Sequence, residues 1–385
     1  MALSCAQIRR FAFLNIAIAQ LTVAVPRMGA ADEGIVANDK PIVALRFSAE
    51  IDEARVLMID LVKKTQSPGL TIAVIVDGSL VWSEAYGVSD LDKATPTTRE
   101  TGFKIASVSK LITVAVLAKL YEAGKIDLDA PLGTYVSSYP DLERHITARL
   151  LSGHLAGIRH YNGFAETVSR QHCNRMEEAL TVFQKDPLLH DPGSKYSYSS
   201  FGYVLLSAGL EGAAEKPFEA LVEELVVMPL KLVHTQMNPP KDHPLVSQTA
   251  EYWMNGQNRV VPNLLTDLSC RLAAGGAAST AEDLVRFAAA HVGGRYLKPG
   301  TVEMLFTSQK LPDGKETGVG IGWRISRDEI GRKFVHHGGT GGGRAFVLLY
   351  PSEDVAIALC SNLGNAAFAE KEAQAIATPF LDSSR

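Results

Sequence analysis

The chain has 385 residues, 46% of them hydrophobic and 21% charged, the balance of a soluble globular protein long enough for two subdomains around a sizeable core. A formal net charge of −4 and the lack of any Lys/Arg-rich run leave no basic field for a phosphate backbone, so nucleic-acid binding is set aside. No internal repeat or low-complexity stretch divides it.

The first 31 residues have the order of a secretory signal. Arg9 and Arg10 give a positive start, Phe11 to Val25 is mostly apolar, and the small residues Gly29, Ala30 and Ala31 stand just before the first acid, Asp32. This predicts cleavage near Ala31 and an exported, periplasmic chain. The apolar run, interrupted by Asn15 and Gln20, is too short for a comfortable membrane span, so none is expected after the signal leaves; a retained anchor is the alternative. Organelle transit peptides are also acid-poor, but amphipathic rather than continuously apolar. Cys5 departs with the signal. Of the remaining cysteines, Cys360 lies inside the apolar run VAIALC and is expected as a buried free thiol. Cys173 and Cys270 are open to pairing in an oxidising compartment, which their spacing does not decide, and no pair has metal-ligand spacing.

After a polar stretch from Asp32 to Lys40, SAEIDEARVLMIDLVKKT places Ile51, Ala54, Leu57, Met58, Leu61 and Val62 at helical spacing, and SPG then breaks it. In LTIAVIVDGSLVWSEAYGVSD, Asp77-Gly78 joins two strand-like runs as a hairpin. ASVSKLITVAVLAKLYEAGK is a helix ended at Gly124. ITARLLSGH, MEEALTVFQK and SSFGYVLLSAGLEGA are further helical stretches, and TAEDLVRFAAAHV begins with Thr280 as N-cap and Asp283 at its third position. Near the C-terminus GVGIGWRIS, RKFVHH, RAFVLLYP and DVAIALC are expected as strands between Gly, Pro and Asp turns, with AAFAEKEAQAIATPFL as a closing helix. Residues 45–103 and 285–382 then make one strand-and-helix unit and residues 104–284 a mostly helical one, with the active site in the cleft between them.

Three segments carry chemistry. In Ser107-Val108-Ser109-Lys110, residues three apart share a helix face, so the Lys110 amine can reach the Ser107 hydroxyl. A serine hydroxyl needs a base, and a buried lysine of lowered pKa can serve; a helix start adds a dipole that favours developing negative charge. In DPGSKYSYSSFGYVLL, Tyr198 and Ser200 can project from a loop into a cleft, and a tyrosine near an ammonium can shuttle protons; half-buried packing of Tyr196, Tyr198 and Tyr203 is the bland alternative. In KFVHHGGTGGGRAFVLL, the glycines from Gly338 to Gly343 follow a strand directly, as close backbone approach requires. No Lys-Ser/Thr follows, so this is no phosphate loop. His336 and His337 lack a His or Glu partner at useful spacing, so no metal is expected. GxSxG is absent, which removes the α/β-hydrolase elbow. Trp82, Trp253 and Trp323 are expected in the core or the cleft wall.

The order Ser107-x-x-Lys110, Tyr198-x-Ser200, His336-x-Gly338 resembles the signature of class C β-lactamases, serine D-peptidases and β-lactamase-like carboxylesterases. The likeness runs from about Leu70 to Leu363 and includes VWSEAYGVSD, LAKLYEAGKIDLDAPLGTYV and GGAASTAEDLVRF. Through GIRHY and FGYVLL it is nearest the branch of the mitochondrial β-lactamase-like serine peptidases and their bacterial relatives. The resemblance implies an α/β fold of β-lactamase/transpeptidase type, an antiparallel sheet flanked by N- and C-terminal helices plus a mostly helical subdomain, and no cofactor. It implies Ser107 as acyl-enzyme nucleophile and Lys110 and Tyr198 as acid–base pair. His336 would tune the proton network and meet a substrate carboxylate, with Ser200, His337, Gly338 and Gly339 lining the substrate and the amides of Ser107 and Gly339 forming the oxyanion hole. Ser200 replaces the commoner Asn and His-His-Gly the commoner Lys-Thr-Gly, so weak or absent β-lactamase activity is expected. His154 and His160 correspond to a stretch that packs near the cleft without doing chemistry. The implied function is a peptidase on linear or unusual peptides, linearised cyclic peptides such as microcystin among them. A carboxylesterase of short acyl esters is the second reading, and a penicillin-binding or self-assembling protein with little turnover the third. The complete Ser107, Lys110 and Tyr198 set argues against the third.

Overall fold

In the computed structural model, which describes residues 38–139, 145–168, 171–238, 249–264 and 266–383, the first helix α1 spans Ser48–Thr65 and buries Ile51, Ala54, Met58 and Leu61. The expected signal segment lies outside the described residues. Gln66 ends α1 in the left-handed conformation, and the SPG turn leads into β1 (Gly69–Val76). The hairpin to β2 (Ser79–Asp90) turns at Asp77 and Gly78, with φ of 50° and 69°, the backbone that an Asp-Gly pair supplies.

Helix α2 (Ser109–Glu122) follows a short 3₁₀ turn at Ala106–Val108 and is buried almost all round. The helical signals that come next give α3 (Ala148–Ser152), α4 (Ser200–Ala214) and, after one turn α5 (Leu272–Gly275) that the sequence does not announce, α6 (Ala281–Ala289). Thr280 caps α6 by accepting from the Asp283 amide at 3.2 Å, as its sequence predicts. MEEALTVFQK is shorter than expected, one α turn at Met176–Ala179 and one 3₁₀ turn at Leu180–Val182. GVGIGWRIS also departs from expectation. Only Arg324–Arg327 forms strand β3, because Gly318 and Gly322 adopt φ of 71° and 79° and turn the chain out of the sheet. Strands β4 (Lys333–Thr340), β5 (Arg344–Tyr350) and β6 (Val355–Ser361) and helix α7 (Glu370–Ser383) complete the chain.

The main sheet runs Ile42–Val43, β2, β1, β6, β5, β4, β3, antiparallel throughout, with Thr95–Pro96 added on β2. The β1–β6 pairing joins the two ends of the chain. Both faces are covered, so β1 and β6 are buried at every residue and mostly apolar rather than alternating. One face packs on α1 and α7 through Leu70, Ile72 and Val74 against Met58, Leu61, Ile376 and Phe380. The other packs on the helical part through Ala73, Val335 and Val347 against residues of α2 and α6. Trp82 and Trp323 are fully buried, Trp253 is 37% exposed, and Cys360 is a buried free thiol. Cys173 and Cys270, left open above, form a disulfide. Among the described residues no helix is long and apolar enough to cross a membrane.

Candidate active site

Ser107 sits in the 3₁₀ turn that feeds α2, directly after Ala106, whose φ of 46° is a left-handed conformation that a residue with a Cβ adopts only at some cost. One turn on, Lys110 is fully buried. Its Nζ donates to Ser107 Oγ at 3.2 Å, Ser200 Oγ at 3.3 Å and the Ala274 carbonyl at 2.7 Å. The Ala274 acceptor is held against α2 on both sides: Thr113 Oγ1 donates to the Ala273 carbonyl at 2.8 Å, and the Ala277 amide donates to Ser109 Oγ at 3.1 Å. Tyr198, on the loop before α4, brings its hydroxyl to 2.8 Å from Ser107 Oγ, and the Lys110 ammonium lies 5.1 Å from its ring centre.

Burial favours the neutral form of Lys110 and holds its pKa below the usual lysine value, against the opposing pull of Tyr198. Burial raises Tyr198, but the Lys110 charge and hydrogen bonds with Lys110, Ser107 and Ser200 outweigh it and leave the phenol below its ordinary value. The two groups titrate as a coupled pair beside one hydroxyl. Such a pair can take the Ser107 proton as the oxygen attacks and return it to a leaving group.

Two histidines hold the Tyr198 loop. His154 Nδ1 accepts from the Ser199 amide and His160 Nδ1 from the Ser200 amide, each at 3.2 Å, and their rings lie 4.5 and 5.3 Å from that of Tyr198. Ser199 caps α4 through the Gly202 amide at 2.9 Å and donates to the Arg159 carbonyl at 2.8 Å. The disulfide adds a further tie. It joins Cys173 to the segment just before α5, and so fixes the approach to Ala274.

Strand β4 forms the opposite wall. β3 pairs with it only over residues 333–336, so from His337 onward β4 presents an edge that β3 does not cover. Gly339 lies against Ser107: a Cβ there would stand 2.6 Å from the Ser107 nitrogen and 2.4 Å from the Ile105 oxygen. Only glycine permits that approach. Gly338 alternates to the other face, where a Cβ would meet the Phe346 ring.

The same alternation corrects the assignment of His336. Neighbouring residues of a strand point to opposite faces. Phe334 belongs to the α1/α7 face and Val335 to the helical face. His336 accordingly packs its ring 5.5 Å from those of Phe334 and Phe346, with Nε2 3.2 Å from both Ser326 Oγ and Glu370 Oε2. Burial lowers its pKa to about 4, with the Arg324 charge adding to the shift, so the imidazole is neutral and its contact with Glu370 is a hydrogen bond to the carboxyl group rather than an ion pair. His337 is the histidine on the Ser107 side. It is 2% exposed, and burial together with the Lys110 and Arg324 charges keeps it neutral. Its Nδ1 donates to the Gly338 carbonyl at 3.0 Å, which leaves Nε2 as an acceptor.

Sequence reasoning missed Arg324. It is the first residue of β3, half-buried, at the point where the free edge of β4 begins. It donates to Tyr196 Oη at 3.2 Å; among the described residues no carboxylate stands within ion-pair distance of it, and Glu370 feels its charge only from further off. A cavity of about 530 Å³ bounded by Leu150, Leu155, Gly193, Met304, Gln309 and Ile321 contains none of Ser107, Lys110 and Tyr198.

The Beta-lactamase family profile matches residues 54–378. The mitochondrial serine beta-lactamase-like protein LACTB of Bos taurus is 29% identical over 407 aligned positions, spanning 80% of this chain and 73% of that protein. Its Homo sapiens counterpart is 28% identical over the same shares. The octameric penicillin-binding protein homologue from Pyrococcus abyssi superposes with a TM-score of 0.72 at 22% identity, covering 85% of this chain and 76% of that one. The D-amino acid amidase from Ochrobactrum anthropi SV3 does so with a TM-score of 0.71 at 21% identity, covering 87% and 99%. At these identities the structural likeness concerns the fold.

Proposed function

The chain belongs to the beta-lactamase family and is a serine hydrolase of the penicillin-binding type, and on that premise we propose that it is an exported peptidase acting through an acyl-serine on Ser107. The observation that carries the proposal is the placement of Ser107 Oγ between Tyr198 Oη at 2.8 Å and Lys110 Nζ at 3.2 Å. The Lys110–Tyr198 pair takes the hydroxyl proton as Oγ bonds to the scissile carbonyl carbon, and gives it to the departing amine as the C–N bond breaks. Water then enters by the same route and releases the acid. The oxyanion is stabilised by the Ser107 amide with an amide of the free β4 edge beside Gly339, an arrangement often worth about 3 kcal/mol of barrier.

A peptide suits the wall built by β4, because an uncovered strand edge offers main-chain hydrogen bonds to an extended chain. Arg324 at the start of that edge suits a substrate carboxylate, since among the described residues its guanidinium makes no direct ion pair. The same fold carries a D-amino acid amidase in Ochrobactrum anthropi, in keeping with amide substrates that include D-residues. Export is supported by the Cys173–Cys270 disulfide, because disulfides persist in oxidising compartments.

Cleavage mapping by mass spectrometry on a pool of linear peptides, with and without D-residues and with free or amidated C-termini, tests the reading against a Ser107→Ala control. Discrete cuts confined to the active protein and favouring free carboxylates are expected. No cuts, together with hydrolysis of short acyl esters by the same sample, would replace the peptidase by the carboxylesterase.

A further inference from the structure

His154 and His160 perform the same backbone task at successive residues, yet their surroundings differ. His154 is 5% exposed and enclosed by the rings of Tyr196, Tyr198 and Tyr203. His160 is exposed, stacked on Tyr161 at 4.5 Å and edge-on to Tyr198. Its backbone is fixed through Arg159, which binds Glu166 at 2.8 and 3.0 Å and Asp186 at 2.6 Å. Its tautomer follows from its contacts. Partial burial and the Lys110 charge, against the pull of Glu166, lower its pKa and favour the neutral ring, and because Nδ1 accepts from the Ser200 amide, the hydrogen of that form resides on Nε2. The side chain of Ser200 cannot take up a donor role toward a ligand: it is 3% exposed and turned inward to Lys110. Beside Tyr198 the exposed imidazole of His160 therefore presents an oriented N–H.

Resting on the reading of Ser107 as nucleophile, we propose that His160 is a substrate-positioning residue whose Nε2–H donates to a carbonyl oxygen on the acyl side of the scissile bond. The side follows from the position of the guanidinium. Arg324 bonds Tyr196, which packs on His154, whereas His160 contacts Tyr161 and Tyr198. A substrate with its carboxylate at Arg324 leaves its acyl portion for His160.

Two esters with one leaving group test this: p-nitrophenyl acetate, and the p-nitrophenyl ester of N-acetylalanine in both enantiomers, which adds an acyl-side amide. kcat and KM are measured for wild type, His160→Leu, His160→Gln and Ser107→Ala. His160→Leu is expected to lower kcat/KM for one N-acetylalanyl enantiomer about tenfold more than for the acetate, the scale of one lost neutral hydrogen bond, with His160→Gln recovering part of that difference through its amide N–H. Equal losses on both esters would overturn the proposal and leave His160 as a support for the Ser200 amide alone. No loss on either would overturn it too. Turnover by Ser107→Ala, or none by wild type, would instead bring down the serine-hydrolase reading and the inference with it.

Discussion

Two charged side chains are buried on opposite faces of the sheet, and their partners set them apart. On the α1 side, Glu84 is 3% exposed and accepts from Arg55 Nε at 3.0 and 3.2 Å and from Trp82 Nε1 at 2.7 Å. On the helical side, Lys110 is fully buried and meets two hydroxyls and a carbonyl. Among the described residues it forms no ion pair with a carboxylate. Desolvation costs both groups, but only Glu84 recovers it through a counter-charge. A buried ion with its partner is part of the scaffold. A buried lysine without one is left free to lose its proton, and that is what acyl transfer from a serine requires.

The largest expected effect separates these two roles. With Lys110 as the proposed proton acceptor, Lys110→Met, which keeps the volume, should lower kcat by about a thousandfold or more, and the melting temperature should hold or rise. Glu84→Gln should do the reverse. Turnover should persist, while stability should drop by about 1.5 kcal/mol, the low end for a broken charged hydrogen bond, because Arg55 stays 26% exposed and is partly screened. Paired kinetics and denaturant titrations on both variants decide the matter, and a Lys110→Met enzyme with ordinary turnover would break the comparison.

The next effect is on pH. With the folded pKa of Lys110 depressed by burial, the neutral amine accumulates at lower pH than for a free lysine, near 10.4. The rate should climb about tenfold per pH unit and level off at an apparent value well below that figure, belonging to the Lys110–Tyr198 pair. The stability sign follows from the same shift. Between the folded and unfolded values the unfolded chain holds the extra proton, so Lys110 makes the protein more stable as pH rises through that window. A rate profile flat from about pH 5 to 9 would remove the coupled base from the mechanism.

Features set by neighbours in the chain were legible in the sequence. The Asp77-Gly78 hairpin, the Thr280 cap, the course of α1 and the Ser107–Lys110 spacing each depend on a few adjacent residues, and all appear where the pattern placed them. Features that depend on distant chain were not. The positive φ of Ala106 has no mark in the sequence, because the residue is not glycine and its conformation is imposed by the strand and helix it joins. Nothing in GVGIGWRIS announces that pairing begins only at Arg324, yet that ending exposes the β4 edge and puts a guanidinium beside Tyr196. The disulfide spans a separation of 97 residues and was undecidable from spacing. The contribution of His154 and His160 to the Tyr198 loop is likewise a matter of two backbone amides some forty residues away.

The smallest expected effect tests the register of β4, where the motif alone pointed one residue away from the site. In a strand a one-residue shift exchanges the two faces, so His336 and His337 cannot share a role. His337 Nε2 is an acceptor on the Lys110 side, and removing it in His337→Ala should lower kcat/KM by about tenfold, the cost of one hydrogen bond near the reacting groups. His336→Ala empties a space between Phe334 and Phe346 and frees Glu370, so it should lower the melting temperature while leaving kcat/KM within about threefold. A kinetic loss confined to His336→Ala would return the motif to its first register. It would also mean that the α1/α7 face reaches Ser107 through the sheet, which the distinct partners of Glu84 and Lys110 argue against.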